Sequence, residues 1–113
     1  MDAKTANPED IASRTTAADL EARANEVAAL LRELANEKRL LILCLLVETG
    51  EMRVSDLAER VGLSQSALSQ HLARLREEKL VTFRRDSQTL WYRIADPRIE
   101  DLMAQLHRIF CPA

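Results

Sequence analysis

A mainly α-helical fold with a two-stranded β-wing, a winged helix-turn-helix, is predicted from three observations on the 113-residue sequence. Residues 55–80, SDLAERVGLSQSALSQHLARLREEKL, carry two short apolar stripes at helical spacing separated by a glycine. Residues 80–94 then hold two β-branched and aromatic runs around a polar turn. The flanking segments, 18–34, 37–47 and from Pro97 onward, repeat apolar residues at three-and-four spacing.

In the first short helix Leu57, Ala58 and Val61 share one face, with Ser55 placed to cap the orphan amides and Gly62 to end the helix. Ser64 caps the second, whose inward stripe is Leu68, Leu72 and Leu75. Its outer side shows Gln65, Ser66, Ser69 and Gln70, with no charge in the first two turns. A merely solvated helix ordinarily exposes Glu and Lys. Uncharged amides and hydroxyls suit a helix in a DNA major groove, where Gln bridges adenine N6 and N7 and Ser pairs with several bases. An ordinary helical hairpin has the same spacing, so the following segment discriminates.

That segment pairs Leu80-Val81-Thr82-Phe83-Arg84-Arg85 with Leu90-Trp91-Tyr92-Arg93-Ile94 across Asp86-Ser87-Gln88-Thr89. A hairpin directly after such a helix is a wing, and Arg84 and Arg85 near its tip are expected to reach phosphates or a minor groove. Trp91 and Tyr92 read as packing residues of the small sheet, not as base-stacking platforms. Between Ser64 and Ile94 stand six basic residues (Arg74, Arg76, Lys79, Arg84, Arg85, Arg93) and three acidic ones (Glu77, Glu78, Asp86), whereas the whole chain is −2. Charge so placed argues against a nonspecific coating protein and favours docking of a single face on DNA. The expected DNA-binding set is Ser64, Gln65, Ser66, Ser69, Gln70, His71, Arg74, Arg84, Arg85 and Gln88.

The scaffold around this reader is helical. Residues 18–34 carry Leu20, Ala24, Val27, Leu30, Leu31 and Leu34 on a continuous stripe. Asn36 caps a second helix over 37–47, whose run LLILCLLV is apolar on every side and is therefore expected at the centre of the fold, with polar residues 48–53 closing it. The last helix shows Ile99, Leu102, Met103, Leu106, Ile109 and Phe110, a face too wide for a lone terminal helix. A homodimer through the N- and C-terminal helices would cover it. Two recognition helices would then meet double-stranded DNA about 34–36 Å apart, on an inverted-repeat operator.

Residues 1–16 form an expected flexible tail before one winged-helix DNA-binding and dimerisation domain, 17–113. The tail lacks the apolar stretch of a signal peptide or membrane span, so a cytoplasmic, nucleoid-associated protein without membrane contact is expected. Two cysteines in a reducing compartment are free thiols, sensors or ligands.

The order helix, LANEKRLLILCLL helix, helix-turn-helix, wing and terminal helix resembles the ArsR/SmtB family of winged-helix repressors, and LSQSALSQHL at 63–72 is a specific signature of it. The resemblance spans about residues 24–112. It implies a homodimer that holds its operator until an inducer binds or reacts. Metal-sensing members carry a Cys-Val-Cys motif where this chain has Arg53-Val54-Ser55, and an Arg cannot ligate a soft cation. At the terminal-helix metal site Asp96 is present, but Arg98 and Ile109 stand where imidazoles are needed. Neither a metal nor another cofactor is therefore expected.

The two cysteines instead match the dithiol persulfide- and redox-sensing branch, which has one thiol in the second helix and one near the C-terminus, here Cys44 and Cys111. That likeness implies a repressor of sulfide-detoxification genes that is released when reactive sulfur species bridge the pair. Burial in LLILCLL is expected to suppress Cys44, leaving Cys111 as first attacker, with His107 and Arg108 available to stabilise its thiolate. A plain disulfide needs Cα atoms within about 7 Å; three or four sulfurs span further. General thiol (peroxide) sensing or virulence and biofilm regulation by the same fold are the alternatives, followed by metal or haem response and by a winged helix that binds protein. A thiol enzyme would need a helix-N-terminal cysteine in a pocket, a context that neither thiol has.

Overall fold

The computed structural model describes residues 17–111; the expected N-terminal tail lies outside them. The order is α1 (Ala17–Leu34), α2 (Glu37–Thr49), β1 (Met52–Arg53), α3 (Val54–Val61), α4 (Gln65–Glu77), β2 (Val81–Asp86), β3 (Thr89–Ile94) and α5 (Pro97–Phe110). The chain divides near the end of α1 into two compact units, one up to Arg32 and one from Glu33 onward. Among the described residues the first holds a single helix with Leu20 and Leu31 exposed. The second holds all the remaining elements.

Within that second unit the helices start where the polar residues predict. Asn36 is extended and its side chain accepts from the Arg39 amide at 3.0 Å, opening α2. Ser64 opens α4 by accepting from the Ala67 amide at 3.1 Å. Asp96 opens α5, with Pro97 in the first turn, where its missing N–H costs nothing. Gly62 ends α3 at φ 71°, a left-handed conformation that a side chain would strain, and Lys38 Nζ donates to the Val61 carbonyl at 2.7 Å. α3 departs from expectation at its other end. Strand β1 runs straight into the helix, so extended Arg53 takes the capping position without a side-chain cap bond, and Ser55 lies inside the first turn.

The wing also differs. β1 pairs antiparallel with β3 through Met52↔Tyr92 and Arg53↔Trp91, so the expected two-stranded sheet has three strands in the order β1-β3-β2. Residues 48–53, expected only to close α2, thus complete the helix through Thr49, turn at Gly50 (φ 87°) and supply an edge strand. β2 and β3 are joined by a two-residue turn, Ser87-Gln88, tighter than the four-residue turn expected, with Ser87 at φ 58°.

The core is built from Ile42, Leu43 and Leu46 of α2, Leu57 and Val61 of α3, Leu68, Leu72 and Leu75 of α4, Leu80, Val81 and Tyr92 of the wing, and Ile99 and Met103 of α5. Placing α2 at the centre holds for one side only. Ile42, Leu43 and Leu46 are within 1% of full burial, whereas Leu41 is 42% exposed and Cys44 is exposed. The apolar end of α5 is open as well, with Ile109 at 57% and Phe110 at 75% exposure, as a helix face awaiting a partner requires. No helix among the described residues is long and apolar enough to cross a membrane.

Leu68 is completely buried at the crossing of α4 with the core. Leu68→Ala is expected to cost about 2–5 kcal/mol, against about 1 kcal/mol for removing the cap in Ser64→Ala, both read from denaturant midpoints at constant slope.

Candidate nucleic-acid interface and thiol groove

Helix α4 is presented by its own inward stripe. Because Leu68, Leu72 and Leu75 are buried, Gln65, Ser66, Ser69 and Gln70 are turned outward with Ser64 at the cap, and all five are exposed. Gln65 and Ser69 line an open cleft of about 390 Å³ together with Gln88 and Thr89 of the wing, Ser55 of α3 and Tyr92 of β3. The wing turn and the outer face of α4 therefore belong to one continuous surface.

Two cations in the expected set are occupied internally. Arg74 donates through Nε to both oxygens of Glu33, at 2.8 and 3.1 Å. Arg84 grips Glu51 through Nη2 at 2.6 Å and Nε at 3.1 Å, while its guanidinium lies 5.4 Å from the centre of Trp91. That hydrogen bond holds the Glu51 carboxyl below its ordinary value and raises Arg84 above its own. Arg53 flanks the other edge of the same ring at 5.8 Å and pairs with Asp56 at 3.0 Å.

Strand alternation explains the difference between adjacent arginines. Arg84 is opposite Trp91 and Arg85 opposite Leu90, so the two side chains leave opposite faces of the sheet. Arg85 shares its face with Tyr92 and Leu90, which line the cleft; it is exposed, and its side chain makes no ion pair or hydrogen bond among the described residues. Arg84, expected near the wing tip to reach phosphates or a minor groove, remains exposed but already pairs with Glu51. Arg76 is likewise engaged, donating to the Tyr92 hydroxyl at 2.8 Å and lying 5.4 Å from the centre of the Phe83 ring. Trp91 and Tyr92 thus do serve packing.

The thiols meet a different surface. On α2 the residues one face away from the core stripe are Leu41, Cys44 and Glu48, so Cys44 is exposed, and the expectation that hydrocarbon buries it is overturned by which stripe of the helix the core selects. Cys111, at the C-cap of α5, is exposed too, its N–H donating to the His107 carbonyl at 2.8 Å. Both cysteines line one groove of about 270 Å³ between α2 and α5, walled mainly by Leu40, Leu41, Leu106 and Phe110, with His107 at its edge.

The sequence profile described as "Bacterial regulatory protein, arsR family" matches residues 36–82, the span from the α2 cap to the first residues of the wing. The chain is 42% identical over 95 residues to the transcriptional activator HlyU of Vibrio cholerae, covering 84% of this chain and 87% of that one. It is 42% identical to the HTH-type transcriptional regulator YgaV of Escherichia coli over 87% of this chain and 99% of that one. The solved structure of the transcriptional repressor BigR from Xylella fastidiosa superposes with a TM-score of 0.81 at 41% identity, covering 88% of this chain and all of that one. The chain belongs to the ArsR family of bacterial transcriptional regulators.

For an ArsR-family regulator, DNA binding follows from the helix-turn-helix, and the family consists of regulators, not enzymes. Among the described residues no group of three or more His, Cys, Asp and Glu is assembled as a metal site. The positions of the Cys-Val-Cys motif are occupied by Arg53, committed to Asp56 and Trp91, and by Ser55 in the cleft. Glu33, Arg39, Glu51 and Arg53 were not legible as partners of the reader. Glu33 meets Arg74 across 41 residues of sequence and Glu51 meets Arg84 across 33, separations that no local spacing signals.

His71 is half-buried beside Arg39 and Arg74 and less open than the outward residues of α4. Burial first, then the two cations, pushes its imidazole below the ordinary 6.5. The unfolded chain therefore takes up this proton before the folded one does, and stability falls as pH drops through about 6.5. His71→Gln is expected to lose less stability than the wild type between about pH 7 and pH 5, measured by denaturation at both values. Equal losses would assign the acid sensitivity to other groups.

Proposed function

We propose that this protein is a homodimeric, cytoplasmic repressor that reads an inverted-repeat operator and releases it when reactive sulfur species bridge Cys44 and Cys111, derepressing sulfide-detoxification genes. The observation that carries the reading is the shared groove: the two thiols of the chain, from helices far apart in sequence, are exposed to the same apolar cleft. Repression as the sign of control follows the Xylella fastidiosa relatives, one of which is named a biofilm growth-associated repressor. Exposed Leu41, Ile109 and Phe110 next to the groove supply apolar area for the second protomer.

The chemistry balances without a metal. Each thiol takes one sulfur from an organic persulfide, RSSH, giving Cys–SSH and RSH. The terminal sulfur of one protein persulfide then attacks the inner sulfur of the other, breaks its S–S bond and expels hydrosulfide, leaving a trisulfide. Attack by an unmodified thiol gives a plain disulfide and the same leaving group. Peroxide gives the disulfide through a sulfenic acid, with two waters as products. Whichever bridge closes ties α5 to α2, the helix whose other side packs the core beneath the reader.

Within the reader, Gln70 and its neighbours on α4 serve base recognition and Arg85 serves the backbone. Gln70→Ala is expected to relax base preference and cost about 1–3 kcal/mol on the cognate site. Arg85→Ala should weaken all sequences and lower the salt slope by about one, with a smaller effect from Arg84→Ala because Glu51 already neutralises that cation. Fluorescence anisotropy on cognate and random duplexes at several salt concentrations separates the two roles. Identical losses on both duplexes from Gln70→Ala would overturn its assignment.

The sensing reading is tested by operator affinity of the reduced protein, the persulfide-treated protein and the peroxide-treated protein, each with intact-mass analysis. Release after persulfide, with extra sulfur linking Cys44 to Cys111 and no release from Cys44→Ser or Cys111→Ser, is the expected result. Modification confined to separate cysteines would sink the bridge, and equal release by every oxidant through a plain disulfide would make the protein a general thiol switch.

A further inference from the structure

The Glu33 side chain is only 8% exposed, an unusual place for a carboxylate unless it is matched. Two arginines match it. Arg74, in the last turn of α4, occupies both carboxylate oxygens, at 2.8 and 3.1 Å. Arg39, on α2 and itself nearly buried, reaches the carboxylate at 3.8 Å and donates through Nε to the Glu33 carbonyl at 2.7 Å. Arg39 is also fixed through its amide, which donates to Asn36. The segment leading into α2, the first turn of α2 and the end of α4 thus converge on one buried acid.

From this convergence we propose that Glu33 is a positioning residue that couples the helix bearing Cys44 to the helix that reads DNA, through Arg39 on one side and Arg74 on the other. The inference rests on the dithiol reading above and deepens it by naming the link. Cys44 lies five residues beyond Arg39 on the same uninterrupted helix, so a bridge that draws α2 toward α5 displaces Arg39 with it. Glu33 follows Arg39, and α4 loses the carboxylate that fixes its C-terminal end. Arg76, bonded to Tyr92, holds the same end of α4 to the wing and takes no part in this route. In the reduced protein the tie keeps α4 in its binding orientation; in the bridged protein it is strained or broken.

The test uses the full-length protein and a duplex selected from a random pool by the reduced wild type. Affinity is measured before and after treatment with an organic persulfide, with intact mass recorded in each arm. Wild type should show a reduced-to-bridged affinity ratio within the roughly 5- to 150-fold range of allosteric coupling. In Glu33→Gln, which cannot contact DNA from its buried position, the mass shift should persist while the ratio falls below about threefold, the loss lying in the reduced arm. Arg74→Lys keeps the cation but not the Nε–H that bonds both carboxylate oxygens, and should behave alike; it decides the matter if Glu33→Gln does not fold. A wild-type-sized ratio in the deciding variant overturns the coupling while leaving the dithiol reading intact. A wild type whose affinity is indifferent to bridging removes that reading, and the coupling with it.

Discussion

Helix α2 has two apolar faces with different duties, and the rest of the second unit is arranged around that division. Ile42, Leu43 and Leu46 are packed so completely that the helix cannot rotate without opening cavities beneath α3 and α4, each costing several kcal/mol at the scale of about 2–5 kcal/mol per truncated core side chain. Rotation being forbidden, Leu41 and Cys44 are held on the side that faces α5 and solvent. The same packing places the leucine stripe of α4, and therefore the uncharged outer face of that helix. The thiol groove and the outer face of α4 are set by opposite sides of one rigid element.

Half of the cations in the reader are engaged within the protein. Three of the six cations between residues 64 and 94 are engaged by Glu33, Tyr92 or Glu51, so the positive field of this segment is narrower than its net charge implies. Arg74 and Arg76 instead fix α4, one on each side, and Arg84 braces Trp91 against the edge strand. Precision in a recognition helix depends on such supports, because the base-edge hydrogen bonds it makes tolerate little displacement. Arg85 takes part in none of these contacts and is exposed on the cleft side of the wing.

The apolar groove gives the two thiols a common environment and different mountings. Cys44 is held mid-helix on a rigid element. Cys111 is at the C-cap of α5, just beyond its last helical residue. Under the proposed bridge, closure would put tension on both helices, α2 on the side of the reader and α5 on the side where Ile109 and Phe110 are exposed.

Local pattern determined a good deal of this protein. The stripes of α3 and α4, the caps at Asn36 and Ser64, the stop at Gly62 and the hairpin after α4 were all legible, because each depends on residues within a turn or two of one another. The outward set Gln65, Ser66, Ser69 and Gln70 was legible for the same reason. Tertiary structure decided the remainder. A uniformly apolar α2 carries no periodicity to say which side is core, so the exposure of Cys44 was fixed only by packing. A two-residue strand at Met52–Arg53 is too short to announce itself and exists because β3 offers it an edge. The tie from Glu33 to Arg74 joins residues 41 apart, and charge pairs at that distance leave no trace in spacing. Periodicity reports which residues of one element face the same way; which neighbour they then meet is decided when all the elements compete for the same interior.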